Sequence, residues 1–224
     1  MTVTEIGVMG VKPGVDVMDP SRPEGMVIPK TYRAVTAHPD GPHRASWGLD
    51  LEDPLKIWCF FDFDSVDHHT AFAKGGAAEI VKDLPTVLSH GGWMKHVAFV
   101  SPSKPALTSP LAEVVVAHFP TTIGAGEKDA AVKQLEAAAS RGLRDITGFQ
   151  DATWGWSEEH DFPVVANEKQ TGQALVLLVG WSGLDAQKAS RESEAWKAVE
   201  AALKGMDGRF DMSSFRVSCL SAEE

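Results

Sequence analysis

Ala45-Ser46-Trp47-Gly48-Leu49 and Ala152-Thr153-Trp154-Gly155-Trp156 are one short text written twice. Each block is followed by an apolar run, Lys56-Ile57-Trp58-Cys59-Phe60-Phe61 in the first case and Ala174-Leu175-Val176-Leu177-Leu178-Val179 in the second. Each is preceded by a strand-like run that shares a glutamate, Glu5-Ile6-Gly7-Val8 and Glu113-Val114-Val115-Val116. Three matches in the same order imply two copies of one unit, a pseudo-twofold molecule with a pocket wherever the halves meet.

The second copy is the easier to read. Val114 to Phe119 is a β-branched strand that stops at Pro120, and Glu127 to Leu143 spaces Val132, Leu135, Ala139 and Leu143 on one helical face. Strands follow at Phe149–Trp156 and Ala174–Trp181, then a helix at Ala186–Leu203 and a strand at Phe210–Leu220. This β-α-β-β-α-β order is the ferredoxin-like split unit. The first copy repeats it with strands near Thr4–Val11, Ala45–Leu49, Ile57–Phe63 and Trp93–Ser101 and a helix over Val66–Leu88. Prolines at 20, 23, 29 and 39 leave its first helix only Pro29 to Ala37, and Val15 to Met26 reads as a long loop that covers a pocket or packs on the surface. The Pro- and Ser-rich stretch Ser101–Pro110 reads as the linker, so the expected domains are 1–104 and 105–224. The repeat offset grows from 107 at the tryptophans to 118 at the following strand, which puts 11 extra residues of the second copy in the hairpin between Ser157 and Gln173.

Composition narrows the partners. A chain of 224 residues with 43% apolar content can bury a core, and a net charge of −10 argues against nucleic acid or anionic membrane. The two cysteines, Cys59 and Cys219, sit in apolar runs and read as reduced core residues. With no apolar run near ~20 residues and no basic, apolar leader, the expected location is the cytoplasm.

Trp47-Gly48-Leu49-Asp50, followed after a strand by Phe63-Asp64-Ser65-Val66-Asp67-His68-His69-Thr70-Ala71-Phe72, resembles the dimeric α+β barrel superfamily, in particular its antibiotic-biosynthesis monooxygenase-like and stress-responsive domains. The Ser-x-Asp/Glu-x-His-x-x-Phe pattern falls on Ser65, Asp67, His69 and Phe72; the second copy carries Gly183, Asp185, Gln187 and Ser190 there and has lost the histidine. The resemblance implies an α+β fold in which two fused ferredoxin-like repeats form an intramolecular dimeric barrel, as a monomeric pseudo-dimer or a homodimer. It also implies a small aromatic or polyketide-like ligand. Cofactor-independent monooxygenases, cyclases, isomerases and decarboxylases share this class, and other relatives bind haem.

Particular residues carry the chemistry. His118 shares one strand face with Val114 and Val116 in a run apolar on both faces, where a histidine serves as general acid or base or as a hydrogen-bonded core residue. Asp62 alternates with Trp58 and Phe60; if that face lines the lumen, desolvation beside two rings would raise its pKa into the general-acid range, and otherwise the strand has emerged into solvent by Asp62. His69 is the third catalytic candidate, or else packs on the sheet. Trp47, Trp58, Phe60, Trp154 and His96 are candidates for contacting substrate. No glycine-rich phosphate loop, nucleophile elbow or metal-ligand spacing is present in the sequence, so no cofactor and no metal are expected, with haem on His118 or His69 the alternative. The leading expectation is proton-transfer chemistry, cyclisation, dehydration or isomerisation, with His118 as acid/base and Asp62 or His69 assisting. The alternatives are a monooxygenase, cofactor-free or haem-dependent, and a non-catalytic metabolite-binding barrel. Where the copies differ, at His118 against Gly10, Asp62 against Gly180 and His69 against Gln187, the mismatches point to the site.

Overall fold

The apolar run around Glu5 becomes the central strand of its half in the computed structural model, which describes residues 2–165 and 167–223. In chain order this half holds β1 (Val3–Val11), α1 (Val27–Ala37), β2 (Arg44–Leu49), β3 (Lys56–Phe63), α2 (Val66–Gly75), α3 (Ala77–Val81) and β4 (Leu88–Phe99). β1 pairs antiparallel with both β3 and β4, and β2 pairs with β3. The order β4-β1-β3-β2 is that of the split unit expected from sequence.

Period-two alternation sends Val3, Val11, Ile57, Cys59, Phe61 and Phe63 to the helix side, where they meet Ile28, Tyr32, Val35 and Phe72. Burying each large apolar side chain contributes roughly 1.5–3 kcal/mol, so this packing outweighs the modest local propensities of α1 and α2. The long loop before α1 is pinned to the same core by Val17, which is 1% exposed.

The helix expected over Val66–Leu88 is in fact broken. Two successive glycines, each about 1 kcal/mol worse than alanine in a helix, end α2 at Gly75, and α3 restarts at Ala77. Pro85 then sits in a 3₁₀ turn, Leu84–Thr86, ahead of β4.

The other half runs through α4 (Lys104–Leu107), β5 (Leu111–Phe119), α5 (Ala125–Ala139), β6 (Phe149–Ser157), β7 (Phe162–Val164), β8 (Asn167–Trp181), α6 (Leu184–Ser190), α7 (Glu194–Lys204) and β9 (Asp211–Val217). β8 lies between β5 and β6, and β9 flanks β5, which repeats the first half's order. The residues added to the second copy form β7 and the extension of β8 that pairs with it. Leu175, Leu177, Val179 and Trp181 pack with Leu135, Trp196, Val199 and Leu203 from α5 and α7. The expected single helix Ala186–Leu203 is two, because Ser193 accepts from Trp196 N (3.1 Å) and so caps a new start.

The Ser101–Pro110 segment is not a solvated linker. It contains α4, whose Ala106 and Leu107 are buried. The two units are Met1–Ala98 with Val217–Glu224, and Phe99–Arg216. The chain thus returns at its end to the first unit, where β10 (Leu220–Ser221) pairs with β2 and covers its edge. The Trp-Gly repeat acquires a physical reason here: a Cβ on Gly48 would stand 2.2 Å from the Ser218 carbonyl oxygen. Among the described residues, no helix is long and apolar enough to cross a membrane.

Candidate active site

Glu5 is an acid on the helix side of a sheet, 3% exposed. Such a burial is costly unless the carboxylate meets polar partners, and the fold brings two histidines to it. His96 is the residue opposite Glu5 in the β1–β4 ladder. His69 comes from α2, whose start is fixed by Ser65 accepting a hydrogen bond from His68 N (3.1 Å). One turn into that helix, His69 turns toward the sheet with Phe72, and its ring lies 4.9 Å from that of Phe63.

The three groups form a chain of contacts. His69 Nε2 is 3.3 Å from Glu5 Oε1, and His69 Nδ1 shares a 2.9 Å hydrogen bond with His96 Nε2. Glu5 and His69 line a cavity of about 140 Å³ whose remaining walls include Tyr32, Phe61, Phe63, Phe72, Met9 and Met94. Gly7 keeps this wall open: a Cβ there would meet Met94 Sδ at 2.3 Å. Tyr32 stays a neutral phenol, since burial and the neighbouring Cys59 hold its pKa well above the ordinary value; its hydroxyl is 2.9 Å from Cys59 Sγ. Burial also pushes the Cys59 thiol up to about 12, which leaves it unreactive.

The second unit has the same position with different chemistry. Glu113 is fully buried, accepts from Trp181 Nε1 (3.1 Å) and Ser214 Oγ (2.6 Å), and is ion-paired to Arg191. By the repeat offset Ser214 stands where His96 does, and Gln187 where His69 does. Its cavity of about 230 Å³ is lined by Arg191, Arg216 and Glu200 but by no histidine. A larger hollow of about 430 Å³ beside Trp154 is rimmed by Glu136, Arg144, Asp145 and Asp151, a charged surface without a histidine.

The other expected site residues lie apart from the Glu5 cavity. His118 is fully buried in the second unit, on the strand face opposite the one that packs on helices. Its Nε2 donates to the Pro163 carbonyl (3.1 Å), its Nδ1 is 3.5 Å from Asp211 Oδ2, and the rings of Phe162 and Phe210 flank it. Burial lowers its pKa, against the pull of Pro163 and Asp211. Asp62 is not a lone carboxylate among rings: Thr4 Oγ1 donates to it at 2.7 Å and Arg44 pairs with it. Trp58 stacks with Phe60, with centroids 6.4 Å apart, and gives its N–H to Asp50 Oδ2 (3.1 Å). Trp47 is 1% exposed and meets Tyr32 edge-on, with centroids 5.3 Å apart. Of the expected residues, His69 lines the Glu5 cavity and His96 meets it from behind at 2.9 Å. Sequence reasoning missed Glu5, Tyr32, Phe72 and Met94 as site residues, although the glutamate repeated in both strands was a usable signal.

Neither histidine proposed for haem is suited to it. The cavity beside His69 is far smaller than a porphyrin, and His118 is enclosed by the Pro163 carbonyl and the rings of Phe162 and Phe210.

No family model and no curated protein sequence matches the chain. Solved structures do match. An anthrone oxidase-like protein gives a TM-score of 0.64 at 12% identity, covering 100% of this chain and 94% of its own. A candidate monooxygenase from Fusobacterium nucleatum subsp. nucleatum gives 0.61 at 8% identity, covering 98% and 92%. A chlorite dismutase from Candidatus Nitrospira defluvii, solved in complex with imidazole, gives 0.55 at 12% identity, covering 97% and 91%. These likenesses place the chain in the fold class of the dimeric α+β barrels, with two ferredoxin-like repeats in one polypeptide.

Proposed function

We propose that this chain is a small-molecule enzyme of the barrel class, and that its reaction begins with proton abstraction by His69 in the first unit's cavity. The observation that carries this reading is an imidazole held between His96 and a buried carboxylate on the wall of an otherwise largely apolar cavity. His69 is held through Nδ1 by His96 at 2.9 Å, and a proton taken up by its ring is met by the buried Glu5 carboxylate, 3.3 Å from Nε2. This is the geometry of a general base with an orienting partner and a counter-ion.

The cavity volume, near the ~150 Å³ that one benzene ring fills in an apolar core, favours a single activated aromatic ring at the base. The names of the structural neighbours, a candidate monooxygenase and an anthrone oxidase-like protein, favour oxidation over rearrangement as the sequel. In that sequel an activated C–H gives its proton to His69. The ring-stabilised carbanion reduces dioxygen and bonds to it as a hydroperoxide, and loss of water leaves a carbonyl. One CH₂ and one O₂ become one C=O and one H₂O, and no resident cofactor is required. Cyclisation or isomerisation would share the first step and consume no oxygen, so turnover of phenolic and hydroquinone substrates in an oxygen electrode separates the two. Substrate consumed with one equivalent of oxygen supports the oxygenase; turnover without oxygen uptake overturns it.

A further inference from the structure

Next to the proposed base, but facing solvent, a second set of histidines converges on a carboxylate. His43 precedes β2, Asp64 follows β3, and His68 lies in the first turn of α2, so three elements meet at one corner of the first unit. The corner is fixed from below by backbone: His43 N donates to the Asp62 carbonyl (2.8 Å), and Ser65 caps α2. His43 Nε2 is 2.8 Å from Asp64 Oδ1, His68 Nδ1 is 3.5 Å from Asp64 Oδ2, and one ligand atom from each residue lies within 4.8 Å of the other two.

The far nitrogen of His68 is the informative detail. Nε2 donates to the Asp40 carbonyl at 3.1 Å, which assigns the lone pair to Nδ1, the atom that faces Asp64. A ligating histidine ordinarily has this anchor, because a fixed tautomer and ring orientation remove the cost of organising the site. Among the described residues, the competitor at Nδ1 is the Asp64 backbone N–H, a long bond of 3.3 Å. The side chains of His43 and Asp64 are 54% and 67% exposed, which leaves the remaining coordination positions to water.

We propose that His43 Nε2, Asp64 and His68 Nδ1 form a surface site for a borderline divalent transition-metal ion of the zinc type. Two imidazoles and one carboxylate suit such an ion, whereas calcium and magnesium call for an all-oxygen set. The site is separate from the Glu5 relay and does not depend on the function proposed for it. Bound metal would tie the chain before β2 to the start of α2, one residue from His69, and so hold that helix turn in place.

The test is calorimetric titration of zinc chloride into the metal-stripped, tag-free full chain, with thermal melts in parallel. The expected result is one ion per chain, a raised melting temperature and no response to magnesium. His43→Ala and Asp64→Asn should each weaken zinc binding by roughly tenfold or more, while His96→Ala binds zinc as the parent does. Circular dichroism of the exposed-site variants confirms that they fold. Absence of zinc binding, binding that survives both His43→Ala and Asp64→Asn, or binding abolished by His96→Ala overturns the assignment.

Discussion

Replacing Arg191 by alanine tests the idea that each copy buries a carboxylate which must be answered. Glu113 is 0% exposed and keeps three donors: Trp181 Nε1 at 3.1 Å, Ser214 Oγ at 2.6 Å and the Arg191 guanidinium. Only the last brings charge. Removing one member of a buried ion pair costs about 3–5 kcal/mol, because the other charge stays behind without compensation. The Arg191 side chain is 31% exposed, so water takes part of its place and the lower end, about 3 kcal/mol, applies. Its guanidinium also lies 4.2 Å from the Trp196 ring centroid, and losing that contact adds roughly 0.5–1 kcal/mol. At about 2–4 °C per kcal/mol for a chain of this size, the melting temperature should fall by roughly 7–16 °C. Thermal and urea unfolding of Arg191→Ala measure this directly. Adding Glu113→Gln should return most of the loss, since the amide needs no counter-charge. A cost below about 1 kcal/mol, the range of an exposed pair, or a second mutation that deepens the loss, would refute the reasoning.

Three further outcomes follow from other parts of the fold. Burial lowers the His118 pKa in the folded chain, so the unfolded chain binds the proton first as pH falls. Stability is then full above about pH 6.5 and declines below it; urea midpoints should drop more for the parent than for His118→Asn over that interval. Gly48→Ala should destabilise by roughly 1–3 kcal/mol in chemical denaturation, because its Cβ would meet the Ser218 backbone carbonyl and no side-chain rotation relieves the clash. Ala73→Leu, on the rim of the Glu5 cavity, should raise KM for a ring-sized substrate with kcat nearly kept and stability unharmed, since leucine suits the helix; unchanged KM would place the substrate elsewhere.

The fold was legible because its signals are periodic and doubled. The strand order of both copies follows from the shared Glu, Trp-Gly and apolar runs, and the extra hairpin from the change in offset. The breaks were harder. Gly75-Gly76 and the cap at Ser193 interrupt runs whose hydrophobic spacing continues past them, so periodicity alone joins what local backbone chemistry divides. The return of the chain end onto β2 is a long-range pairing of two residues, Leu220 and Ser221, too short to announce itself. At the site, His69 and His96 are both legible in the sequence as candidates, but their meeting depends on which side of the sheet each faces. Attention to His118 and Asp62 followed from the apolar runs around them. The structure gives each of those a partner, Pro163 and Arg44, that sequence spacing does not reveal. Glu5 reads in the sequence as a mark of repetition, and the fold brings its carboxylate within 3.3 Å of His69 Nε2.

Oxygen uptake by His69→Ala and His118→Ala, measured side by side on a phenol or hydroquinone that the parent turns over, tests the central claim most directly. His69→Ala should lose activity by roughly 10²–10⁴-fold, the usual contribution of a general base, while His118→Ala, once shown to be folded, keeps most of it. Activity that survives without His69 and disappears without His118 would move the site out of the Glu5 cavity and contradict the account.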